Sequence, residues 1–142
     1  MKNSILIMIA FLSLGLISAE GQITVQMNVE IGRYVTSDTA CTKLWLSYHM
    51  DEDGDRLYTV KYKDETFKWR DFETFNYKGN LNDLYDLFSN QIKAERGTSV
   101  NVKVGKTKMT ILTNEEGIKV LLNDDSCFRM NKISLDKLFN RN

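Results

Sequence analysis

The sequence predicts an α+β fold, with antiparallel strands in the order ββββ-α-ββββ-α and one main helix packed on the sheet. Residues 80–97 carry a clear helical period: Leu81, Leu84, Tyr85, Phe88 and Ile92 share one stripe, while Asp83, Asp86, Asn90 and Lys93 turn mostly to water. On either side of that stretch, apolar residues alternate with polar ones at period two. The alternation is half-polar, which suits antiparallel sheets with one packed face and one wet face. A closed or half-closed small β-barrel is the competing architecture, because eight short meandering strands can curl round.

Taken in order, the first expected strand runs over residues 23–31, where Ile23, Val25, Met27, Val29 and Ile31 alternate with Thr24, Gln26, Asn28 and Glu30, and Gly32 breaks it. A polar loop precedes a second strand over residues 41–50. There Leu44, Leu46, Tyr48 and Met50 share one face, and Lys43, Trp45, Ser47 and His49 share the other, so Trp45 is a large aromatic on the wet side. The third strand is expected at 57–62 and the fourth at 66–70, joined as hairpins by short acidic connections. Residues 71–79 then read as a connection whose Phe72, Phe75 and Tyr77 pack beside the helix.

The main helix is expected over residues 81–96, from Leu81 to Arg96. Asn80 is its N-cap, and Gly97 is placed to take the left-handed conformation after its end. Four more strands follow, marked by Val100, Val102 and Val104, by Met109 and Ile111, by Ile118, Val120 and Leu122, and by Phe128 and Met130. Ser134 is expected to cap a last short helix through Leu135, Leu138 and Phe139. The repeated order hints at an internal duplication, although the residue identity between halves is thin.

Residues 1–21 read as a secretory signal peptide. Lys2 is followed by an apolar run over residues 5–17 and then by small residues, with cleavage expected after Ala19 or Gly21. The run is too short for a transmembrane span of about 20 residues, so no transmembrane segment is expected after cleavage. Residues 22–142 then form a single α+β domain, and the expected location is periplasmic or secreted. In an oxidising space Cys41 and Cys127 are expected to pair, closing a loop over most of the domain. The Met-Lys-Asn opening and the proline-free, Asn-, Lys- and Asp-rich remainder resemble exported proteins of AT-rich bacteria such as Bacteroidetes, a resemblance of signal and composition that brings no active site with it.

Nineteen basic and nineteen acidic residues balance to a formal charge of zero, and the two signs are interspersed. That removes the usual motive for a nucleic-acid partner. The acidic run 51–55 puts His49 and Val60 where a calcium loop needs oxygen ligands, so it reads as a hairpin turn and no metal is assigned. His49 is the single histidine, and neither nucleophile motifs nor glycine-rich phosphate loops occur, so no catalytic residue and no cofactor is assigned. Basic and aromatic residues interleave on the third and fourth strands. Trp45, Lys61, Lys63, Lys68, Trp69 and Arg70 form the candidate binding surface, suited to a protein or a glycan. The expected function is therefore an exported, non-catalytic binding protein. A periplasmic inhibitor or immunity protein against an envelope-acting enzyme is one alternative, and a small hydrolase using two carboxylates is the other.

Overall fold

The computed structural model describes residues 16–18, 24–36, 42–66 and 72–141. Two short strands, β1 (Leu16–Ser18) and β2 (Thr24–Gln26), form a small antiparallel ladder of their own. Among the described residues the rest is two open antiparallel sheets and two helices. The first sheet is a meander of β3 (Val29–Val35), β4 (Lys43–Met50), β5 (Arg56–Lys63) and β6 (Phe72–Lys78). Helix α1 (Leu81–Ile92) follows. The second sheet is a meander of β7 (Ser99–Val104), β8 (Thr107–Asn114), β9 (Gly117–Leu122) and β10 (Ser126–Met130), ending in α2 (Lys132–Leu138). The α+β expectation holds, and the strand order gains the β1–β2 ladder at its start. The barrel alternative fails, since neither sheet closes among the described residues.

Each helix packs mainly against the sheet it does not follow. Helix α1 comes after the first sheet and lies on β8 and β9, whereas α2 comes after the second sheet and lies on β3, β4 and β10. The result is one core shared by both halves. Leu44, Leu46 and Val60 from the first sheet, Leu84 and Phe88 from α1, and Ile111, Val120 and Phe128 from the second sheet are all buried in it. Phe128 joins the sheets directly, with its ring centroid 4.9 Å from that of Tyr62 and 6.4 Å from that of Phe75.

The expected first strand is two pieces. Residues 27–28 separate β2 from β3, and β3 continues through Gly32 with a shift of register between Glu30 and Gly32. One extra residue there reverses the alternation, so Val29 and Gly32 face inward while Arg33 and Val35 face outward. Gly32 is a close-approach position, not a strand breaker. A Cβ there would overlap the carbonyl oxygens of Lys137 and Leu138 at the end of α2.

The second strand begins at Lys43; Cys41 lies outside the described residues. The expected fourth strand also changes place. Thr66 is in no strand, residues 67–70 lie outside the described residues, and β6 occupies the stretch read as a connection. Phe72 points to the opposite face from Phe75 and Tyr77, which obscured the period.

Helix α1 starts as expected, with the Asn80 side chain accepting from the Asn82 N–H at 2.8 Å. It ends earlier, at Ile92 and not at Arg96. Buried Thr113 donates its hydroxyl to the Gln91 carbonyl at 2.7 Å, and the Thr113 N–H bonds the Thr98 carbonyl at 2.9 Å, so pairing with β8 displaces further helical turns. In α2 the N-cap is Asn131. Ser134 is the third helical residue and completes a reciprocal capping box with it, in place of acting as the cap itself.

Edge strand β10 is covered by the chain leaving β5. The Glu65 N–H donates to the Cys127 carbonyl at 2.9 Å, the Asp64 carboxylate accepts from the Cys127 N–H at 3.1 Å, and Glu65 accepts from the Arg129 N–H at 3.0 Å. Two carboxylates thus stand where a neighbouring strand would supply carbonyls.

Candidate binding face on the first sheet

The register of the first sheet fixes what its outer face presents. Arg33 lies opposite Trp45, Trp45 opposite Lys61, and Lys61 opposite Thr74. One row over, Val35 lies opposite Lys43, and Lys63 lies opposite Phe72. Inward residues Leu44, Leu46, Val60 and Phe75 anchor these strands, so period two forces their neighbours outward.

Lys61 is the centre of this face. Its ammonium sits 5.2 Å from the Trp45 ring centroid and 4.9 Å from that of Phe72, and the two rings meet edge to face at 5.3 Å. Arg33 is held by Glu30 in a two-pronged ion pair at 2.7 and 3.1 Å. Lys43, Lys61 and Lys63 have no carboxylate within ion-pair distance among the described residues. The face therefore combines cations that have no countercharge among the described residues with half-exposed aromatic surface, a pairing enriched where proteins meet other molecules.

Of the residues the sequence nominates, Trp45, Lys61 and Lys63 come together here. Lys68, Trp69 and Arg70 lie outside the described residues. Phe72 was missed, and the signal that places it is the alternation of Phe72, Thr74, Asn76 and Lys78 against Phe75 and Tyr77. His49 shares the outer face, one strand position opposite Leu57 and away from the aromatic pair.

Two other polar clusters are internally satisfied. The carboxylates of Asp51, Asp53 and Asp55 converge on one point, and the Lys78 ammonium from β6 stands there at 2.8, 3.4 and 3.6 Å from them. Lys78 pulls the Asp51 carboxyl below its ordinary range, helped by the Asp55 N–H, and its own ammonium is correspondingly harder to deprotonate. The second cluster ties the helices together: Lys132 donates to the Tyr85 hydroxyl at 2.7 Å, and Tyr85 donates to Asp136 at 2.5 Å. The Tyr85 hydroxyl, and the Lys132 ammonium that also donates to Asp136 at 3.0 Å, hold the Asp136 carboxyl below its ordinary range. A carboxylic general acid needs the opposite displacement, so neither Asp51 nor Asp136 suits that role at neutral pH.

Concavities of about 220, 270 and 390 Å³ fall at or below the low end of the ligand-site range of roughly 300–1,000 Å³. Their linings include charges already engaged, namely Arg129, Glu65 and Lys78 respectively. Among the described residues no helix is long and apolar enough to cross a membrane. No known protein-family model matches the chain, and comparison with the curated proteins and with the solved structures gives no match either.

Proposed function

We propose that this chain is an exported, non-catalytic binding protein that holds an acidic partner protein on the outer face of its first sheet. The carrying observation is Lys61, set over both Trp45 and Phe72 and flanked by Lys43 and Lys63 with no described carboxylate to neutralise them. Lysines at least partly open to solvent steer an acidic surface into contact, and the aromatic pair supplies area that strengthens once water is excluded. An inhibitor or immunity role against an envelope enzyme is one form such binding takes, since the surface of an enzyme around its catalytic acids is itself acidic.

The test is capture from the envelope fraction on the immobilised chain beginning at residue 22. Wild type should retain a partner that salt releases; Lys61→Glu and Trp45→Ala should each lose it by tenfold or more while melting cooperatively. Equal capture by wild type and both variants would overturn the assignment of this face.

Export brings a covalent corollary, the Cys41–Cys127 bridge. Two observations support it. Thr42, next to Cys41 in the chain, leads directly into β4, which pairs with β5; and the chain leaving β5 bonds Cys127 through Glu65. Titration of the unfolded, unreduced exported chain should find no free thiol; two thiols per chain would refute the bridge.

A further inference from the structure

Strand β2 and the residues after it form an apolar arm that the rest of the fold leaves uncovered. Val25, Met27 and Val29 are 44, 47 and 45% exposed, although they alternate in a stripe. Val29 pairs opposite Tyr48, on the inward side of the first sheet, so the stripe continues the line of the core past its edge. The ladder partner of β2 is β1, and β1 lies within the segment read as the leader.

We infer that leader removal frees this strand edge and that a second copy of the chain takes it, the two arms pairing antiparallel about a two-fold axis. This rests on the export reading above. The existing ladder shows what the edge accepts: Leu16 opposite Gln26, Ile17 opposite Val25 and Ser18 opposite Thr24, an antiparallel strand carrying no charge. The arm meets the same description, because residues 22–29 contain no charged side chain and alternate apolar with neutral polar groups. Centred on Gln26, the pairing puts Val25 opposite the partner's Met27 and Thr24 opposite the partner's Asn28, so all apolar side chains share one face. An acidic or basic partner strand would find no countercharge here; a copy of the arm needs none. The contact is one short strand from each chain, so the dimer is weak and concentration-dependent.

The experiment takes the chain recovered from the exported fraction and measures both its intact mass and its sedimentation over a wide concentration range. A mass corresponding to cleavage after Ala19 or Gly21, with a reversible monomer–dimer equilibrium, supports the inference. Val25→Lys combined with Met27→Lys should weaken that dimer at least tenfold and leave the melting temperature unchanged. A cleaved chain that stays monomeric at hundreds of micromolar overturns the inference alone, as does a double variant that dimerises as wild type does. An uncut mass overturns the inference together with the export reading.

Discussion

Sheets β3–β6 and β7–β10 are both four-strand meanders followed by a helix, and each carries a threonine–asparagine hydrogen bond on its outer face: Thr59 to Asn76 at 2.8 Å and Thr110 to Asn101 at 2.7 Å. What surrounds that bond differs. The second sheet's outer rows hold Leu112, Leu121, Lys103, Lys108 and Lys119 and no aromatic side chain, whereas the first sheet mixes its cations with Trp45 and Phe72. Both sheets bury equivalent inner faces in one core, so the fold itself does not require exposed aromatic rings. Their presence on one sheet alone is what the proposed partner contact accounts for.

The largest effect should come from breaking what the sheets share. Phe128→Ala should cost about 3–5 kcal/mol, and Leu84→Ala about 2–5 kcal/mol, because both side chains are buried in the common core. Both tryptophans lie in the first half of the chain, so their fluorescence reports that half in urea while circular dichroism reports both. The two curves should coincide. A variant in which they separate would mean two cores.

Next in size is Gly32→Ala, where the added Cβ must push α2 away from the strand it covers, at a cost of about 1–3 kcal/mol in the same urea titration. An unchanged midpoint would show that α2 does not need to approach β3 so closely. Tyr85→Phe should cost about 1–2 kcal/mol by removing the hydroxyl between Lys132 and Asp136. It also carries a pH signature. The folded-state pKa of Asp136 lies below its unfolded value, so its contribution is full above about pH 4 and is lost as pH falls through the folded value. Melting temperatures of wild type and Tyr85→Phe should therefore draw together as pH falls below about 4; a gap that stays constant would contradict this.

Much of the fold is legible locally. The stripe of Leu84, Tyr85 and Phe88, the Asn80 cap and the four C-terminal strands follow from periodicity and turn chemistry, and Asn123 and Asp124 adopt the left-handed backbone that a short proline-free turn demands. What was not legible depends on partners distant in sequence. The end of α1 is set by Thr113, the register shift at Ile31 by the approach of α2 to Gly32, and the identity of β6 by which side of the sheet Phe72 takes. On the candidate face, period two already turned Trp45 and Lys43 outward together; only the strand register brings Lys61 and Phe72 beside them.

The smallest stability effects carry the sharpest functional contrast. Lys61→Glu and Lys108→Glu, on the two outer faces, should each change stability within about 0.5 kcal/mol, yet the first should abolish capture of the partner and the second leave it intact.

The most direct test is a nuclear magnetic resonance footprint of the captured partner on the isotopically labelled chain. Amide shifts at Lys43, Lys61, Lys63 and Phe72 and at the Trp45 indole N–H, with Lys103, Lys108 and Lys119 unmoved, are the result this account predicts. Shifts confined to the second sheet's lysines would contradict it.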